Sequence, residues 1–179
     1  MFVDLRTPDT PAHAEADTAD VVATMAPLLR QARDAGVAAI VDAGPMGVGR
    51  RADILHAVSE AARFPLVVPT GFSSDEQGAD GRHRRHGGGC RVDQAACRCT
   101  GGDDQVLAPL LEMQEDGLPK QLLLSQDRGW YDPAQPQGGE PNHFHSLLKS
   151  FLPKVRSAGV GEATIEALTR LNPWRAFSR

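Results

Sequence analysis

The stretch Leu122-Leu123-Leu124-Ser125-Gln126-Asp127-Arg128-Gly129-Trp130-Tyr131 decides how the chain is read. Three leucines make a short apolar run, an acid closes it, and a glycine and two aromatics follow. A parallel strand has this look when it delivers one carboxylate to the mouth of an α/β fold. A carboxylate there can bind a divalent metal or take a proton from metal-bound water. Asp127 is therefore the candidate catalytic and metal-ligating residue. The competing role for the same side chain is to cap the turn through backbone amides.

Toward the N-terminus, two more apolar runs have strand length: Val37-Ala38-Ala39-Ile40-Val41-Asp42 and Leu66-Val67-Val68-Pro69-Thr70-Gly71-Phe72. Phe2-Val3-Asp4-Leu5 is a shorter one. Between them lie two helical patterns. In Val21 to Ala35 the residues Val21, Met25, Leu28, Leu29 and Ala32 share a face, with Asp20 as N-cap, Pro27 as a kink or later start, and Gly36 as the stop. In Ala52 to Arg63 the face is Ile54, Leu55, Val58 and Ala62, and His56 falls beside it, at the surface. Strand, helix, strand, helix, strand implies βαβ units with right-handed crossovers. Gly44 to Arg50 is glycine-rich, but it is not a GxGxxG and has no Lys-Ser/Thr ending. It reads as a strand-to-helix turn rather than a phosphate cradle.

On the other side of the opening stretch, Asp132 to Asn142 is a Pro/Gly/Gln loop. His143 to Ala158 has helical spacing, with Pro153 as a kink or break. His143-Phe144-His145 would place two imidazoles on one face of a strand. At the start of a helix, residues i and i+2 point apart, which favours a solvated helix start over a metal pair. A last helix runs from Gly161 through Ile165, Leu168 and Leu171, and Asn172-Pro173 is expected to break it.

The middle differs in character. Ser73 to Asp104 has almost no apolar periodicity and carries Arg82-His83-Arg84-Arg85-His86, a glycine triplet and all three cysteines. Such a long structureless loop is uncommon inside a compact domain, and the segment reads as low in order. His83, His86, Cys90, Cys97 and Cys99 are zinc-ligand types, but their spacing fits no common finger. Helical spacing resumes at Gln105 with Val106, Leu107, Leu110, Leu111 and Met113.

Bulk properties set outer limits. The chain has 179 residues, 41% hydrophobic and 23% charged, enough for one domain with a real core. A net charge of -4 gives no broad basic surface for nucleic acid. No apolar run approaches the roughly 20 residues of a membrane span. Met1 to Asp20 lacks a charged-then-apolar leader, so the expected location is cytoplasmic. Three clustered cysteines do not suggest a secreted disulfide framework.

With these motifs in place, the chain resembles the phosphotriesterase-like family of the amidohydrolase superfamily. Val41-Asp42, Gly47-Val48-Gly49-Arg50 and Pro69-Thr70-Gly71-Phe72 look like that family's second strand, its G-x-G-R turn and its third-strand end. The opening stretch looks like its L-L-S-H/Q-D-x-G-W-Y eighth-strand signature. Phe151-Leu152-Pro153, Ala158-Gly159-Val160 and Leu171-Asn172-Pro173-Trp174-Arg175-Ala176-Phe177 resemble its C-terminal helices. The resemblance implies a TIM barrel holding two bridged divalent metals, usually zinc. Its members hydrolyse phosphotriesters, lactones or related esters through a metal-activated water.

Of the family's metal ligands only the strand-eight aspartate carries over, as Asp127. The family's H-x-H would stand just before Phe2, and about four strands would lie between Phe72 and Gln105 in a barrel of about 250 residues. The expectation is a partial (β/α)8 barrel from a truncated or internally deleted member. Residues 1–72 would form the N-terminal βα units, 73–104 a low-order Gly/Arg/Cys-rich segment, and 105–179 the C-terminal strand and helices. The expected partner is a small ester or lactone, with no nucleic acid or membrane. Open sheet edges would favour self-association. The alternatives are a non-catalytic α/β remnant that binds a partner chain, or a small zinc module built on the His/Cys cluster.

Overall fold

The computed structural model describes residues 15–42, 44, 50–68, 103–117, 119–126 and 128–178. The chain forms two compact units. One comprises Met1–Arg84 with Arg128–His145, the other Arg85–Asp127 with Ser146–Arg179. The expected strand at Phe2–Leu5, the His/Cys cluster, the Thr70-Gly71-Phe72 motif, residues 73–102 and Asp127 lie outside the described residues. Among the described residues, no helix is long and apolar enough to cross a membrane.

The first unit begins with α1, Thr18–Asp34. Its N-cap is Asp17, whose side chain accepts the Asp20 N–H at 3.1 Å. The cap expected at Asp20 thus lies three residues earlier, and Asp20 sits in the first turn, where its charge meets the positive helix end. Pro27 neither breaks nor delays the helix. The buried stripe Val21, Met25, Leu29 and Ala32 continues past it, and that burial outweighs one missing backbone hydrogen bond.

The second helix, α2, spans Ala52–Ala62 and buries Ile54, Leu55, Val58 and Ala62, the face expected from the sequence. The two stripes share one core. Arg30 and Arg33 of α1 donate to the carbonyls of Ala61 and Ala62, at 3.3 and 3.2 Å. These cations supply partners for carbonyls that the C-terminal end of α2 cannot satisfy itself.

α2 connects two parallel strands, β1 (Ile40–Val41) and β2 (Leu66–Val67). Ile40 pairs with Leu66 and Val41 with Val67. The strand–helix–strand order is as expected, but the strands are much shorter than the apolar runs. Their inner residues Ile40 and Leu66 are only half-buried, and Val41 and Val67 are each 39% exposed. Burial on both faces needs a second covering layer, and a two-stranded ladder does not supply it. The architecture is therefore helix-rich α/β with a two-stranded parallel sheet among the described residues.

The second unit contains α3 (Asp103–Glu115), then α4 (Leu152–Ser157), α5 (Glu162–Glu166) and α6 (Asn172–Phe177). α3 begins two residues before the expected Gln105. Lys154 of α4 pairs with Asp103 at 3.0 Å. Leu110, Phe151, Leu152, Val155, Ile165 and Leu168 form the core.

Pro173 does not break its helix, contrary to expectation, and at Pro153, expected as a kink or break, the helical path continues. A π-turn precedes each: Leu147–Phe151 before α4 and Ala167–Leu171 before α6. Leu152 N–H reaches back to the Leu147 carbonyl, and Asn172 N–H to that of Ala167. A proline lacks the donor and collides with the carbonyl four residues back. One widened turn ahead of it relieves both problems and lets the helix continue.

Asn172 is 4% exposed, whereas Trp174 of the same helix is 71% exposed. Substituting Asn172→Ala should cost about 1–3 kcal/mol by leaving two part-buried carbonyls, described below, without this donor. Trp174→Ala should change stability by less than about 0.5 kcal/mol. Chemical denaturation measures both.

A second prediction concerns pH. The Arg51 guanidinium hydrogen-bonds Asp53 at 2.9 and 2.6 Å and holds its carboxyl down to about 2. The folded pKa lies below the unfolded one of about 3.9. The pair's stabilisation is therefore complete above roughly pH 4 and is lost as pH falls through about 2. Carboxyl-carbon NMR should show this low titration, and Arg51→Gln should return it to the usual carboxylate range.

Candidate functional site

The opening stretch divides between the two units. In the second unit, Pro119–Gln121 forms a 3-10 turn, and residues 122–126 follow it outside any helix or strand. Leu122 and Leu124 pack against the second core. The expected strand is not part of any ladder among the described residues. Side chains take over part of a ladder's role. Asn172 Nδ2 donates to the Pro119 carbonyl at 2.7 Å and the Leu122 carbonyl at 2.8 Å. Gln126 Oε1 accepts the Leu147 N–H at 3.3 Å, at the start of the helical segment that leads into α4. A helix start leaves such donors without internal partners. Gln126 therefore holds the end of the segment to that turn, immediately before Asp127.

In the first unit Tyr131 is packed into the α1–α2 core, together with Phe144. Gly129 has φ +82°, and a Cβ there would lie 1.9 Å from Cζ of Phe144. Both the backbone conformation and the ring exclude any other residue. Phe144 and Tyr131 are buried, at 2% and 5% exposure. Burial raises the Tyr131 phenol above its ordinary range, and the carboxylates of Asp20 and Asp17 add to the rise. Gly138, at φ +77°, leaves room for the Tyr131 ring, which a Cβ would meet at 2.2 Å.

The loop that carries Gly138 is organised by Asp132. Its backbone N–H donates to Gly138 O at 3.0 Å. Its carboxylate accepts from Ala134 N at 2.9 Å and Gln135 Nε2 at 2.8 Å.

His143 and His145 do not open a helix. They lie in a turn ahead of it, and their rings stack, with centroids 5.1 Å apart at an interplanar angle of 28°. The two imidazoles expected to point apart are thus side by side. The helical i, i+2 argument does not apply because the helix begins only after His145, and the Phe144 between the two rings is buried beside Gly129.

Sequence reasoning passed over Asp42. It closes β1, is 2% exposed, and its Oδ1 accepts the Gly44 N–H at 2.6 Å. The signal was present, since an apolar run followed by an acid and a glycine is the pattern that singled out Asp127. At Asp42 the observed bond is the turn-capping role. Among the described residues, no group of three or more His, Cys, Asp or Glu side chains converges as a metal site. The described residues therefore do not by themselves fit a metal centre.

No family model matches the sequence, and no curated protein matches it. Solved structures do match. The phosphotriesterase homology protein from Escherichia coli, complexed with phosphate in its active site, has TM-score 0.62 at 15% identity, covering 89% of each chain. A mutant organophosphorus hydrolase from Deinococcus radiodurans has TM-score 0.63 at 18% identity, covering 91% of this chain and 86% of its own. A resiniferatoxin-binding protein from Rhodobacter sphaeroides has TM-score 0.59 at 19% identity, covering 90% of this chain and 75% of its own. At such identities the likeness is one of fold. The phosphotriesterase-like resemblance read from the sequence is met by phosphotriesterase-like neighbours in structure.

Gly129→Ala should destabilise the chain by about 2 kcal/mol or more, since it adds a clash to backbone strain. Gly159→Ala is the control. Gly159 has φ +88° with nothing within 4 Å of an added Cβ, so it carries the strain alone. The difference between the two variants in thermal or chemical denaturation isolates the Phe144 contact.

Proposed function

We propose that the chain is a hydrolase of the phosphotriesterase-like class, acting on phosphotriester, lactone or related ester bonds. The observation that carries this reading is the fold likeness to phosphotriesterase-like structures over about nine tenths of the chain. The eighth-strand signature adds residue-level support, because its glycine and glutamine have the contacts described above. In this class a divalent metal, usually zinc, supplies an activated water. Asp127 is the residue assigned to bind it and to take up a proton. The chain's own contribution is positional: Asn172 and Gln126 hold the segment before Asp127, and Gly129 with Phe144 holds the segment after it. The reading extends to a partial barrel as the architecture and to a small ester or lactone as the partner.

A second reading, a non-catalytic α/β remnant that binds a partner chain, is favoured by one observation. Leu171, Trp174 and Phe177 are exposed by 36%, 71% and 44% at the C-terminal helix. Self-association through the half-exposed Val41 and Val67 belongs with this reading.

One experiment separates the two readings. Purified protein is loaded with zinc, dialysed, analysed for metal, and assayed on a phosphotriester and a lactone. The hydrolase reading expects bound metal and turnover, with kcat/KM falling about 100-fold or more in Asp127→Asn. Absence of both metal and turnover, or an Asp127→Asn variant as active as wild type, overturns it. A concentration-dependent sedimentation coefficient in an inactive, metal-free protein supports the second reading.

A further inference from the structure

We infer that Arg128 is an oxyanion-binding residue that takes up a carboxylate or phosphate group. Its Nε is buried and has no hydrogen-bond acceptor among the described residues. The other arginines with assigned contacts behave differently. Arg30 and Arg33 donate to helix-end carbonyls, and Arg51, Arg156 and Arg170 pair with Asp53, Glu162 and Glu166. Arg33, Arg156 and Arg170 are about half exposed or more, so water could serve them if their acceptors were lost. At Arg128 the Nε donor is buried and has no acceptor among the described residues.

A buried guanidinium N–H without an acceptor loses its hydration and gains nothing in return. Buried donors are satisfied in the large majority of cases, and an exception is accounted for by strain, a functional role, or a bound water or ion. Guanidinium chemistry limits which ligand. Its donors form a planar fork with a fixed positive charge, matching the paired oxygens of a carboxylate or phosphate. A neutral carbonyl would satisfy one donor and leave the charge uncompensated.

The position in the chain is consistent with a binding role. Arg128 directly follows Asp127 and directly precedes Gly129, whose backbone is fixed by its left-handed conformation and by Phe144. The donor is thus carried on a rigid segment. The inference goes beyond the hydrolase reading, and where that reading holds it adds a location. Hydrolysis of a lactone or ester yields a carboxylate, and that of a phosphotriester yields a phosphodiester anion. Either product carries the group that Arg128 is built to hold.

The test is equilibrium binding to the full chain, which requires no turnover. Inorganic phosphate and acetate are titrated separately by calorimetry and thermal melting, with chloride holding ionic strength constant. Wild type should bind at least one of them and melt higher in its presence, and the stronger anion identifies the source chemistry. Arg128→Gln should weaken that binding about tenfold or more. Arg128→Met should abolish it without lowering the melting temperature measured in the absence of the anion. If the Gln variant does not fold, Arg128→Lys keeps the charge and loses the fork, and the same weakening is expected.

Equal stabilisation of wild type and variants by either anion overturns the inference, as does binding of neither. So does a lysine variant that binds as tightly as arginine. A protein that binds an anion through Arg128 but shows no hydrolysis refutes the hydrolase reading alone. Hydrolysis without Arg128-dependent binding refutes this one alone.

Discussion

A backbone packed onto a core outside any helix or strand must find partners for its carbonyls, and here one side-chain amide supplies two of them. Asn172 Nδ2 donates to Pro119 O and Leu122 O at either end of a short turn. Residues 122–126 are held in part by this amide and by Gln126. The leucines then supply the hydrophobic stabilisation, with Leu122 and Leu124 facing the second core. Backbone satisfaction fixes where the segment lies, and burial of the leucines keeps it there.

The amide is available because the final helix does not stop at Leu171. A break at Asn172-Pro173 would have sent the chain away before the asparagine could reach back. The π-turn Ala167–Leu171 instead absorbs the proline, and the helical path continues through Asn172. The same device at Leu147–Phe151 keeps Phe151 and Leu152 in the core ahead of Pro153. Two prolines that look like terminators thus act as markers of where a helix widens.

The signature stretch unites two packing problems on either side of Asp127. Before it, polar side chains hold the backbone. After it, Gly129 leaves space that the Phe144 ring fills, and Gly138 leaves space for Tyr131. These are steric requirements rather than chemical ones, and they explain why glycines accompany the aromatics in this part of the chain. Arg128 follows Asp127 directly in the chain, and its Nε is buried without an acceptor among the described residues.

By itself the sequence determined the helix faces and the resemblance. The stripes Val21–Met25–Leu29–Ala32 and Ile54–Leu55–Val58–Ala62 are buried as their spacing requires, because helical periodicity is a local property of the chain. The strand–helix–strand order around α2 was legible for the same reason, and the signature pointed to a fold that the structural likeness supports. Strand length and burial were not legible, because they depend on which neighbours cover a strand, and Val41 and Val67 stay exposed. The continuity of helices through Pro153 and Pro173, and the stacking of His143 on His145, were also decided in three dimensions. In each case a local rule yielded to packing. The prolines were accommodated by a changed hydrogen-bond register, and the histidines lie ahead of the helix with a buried phenylalanine between them. The partners of Asn172 lie 50 and 53 residues away in the chain, a separation that no local pattern encodes.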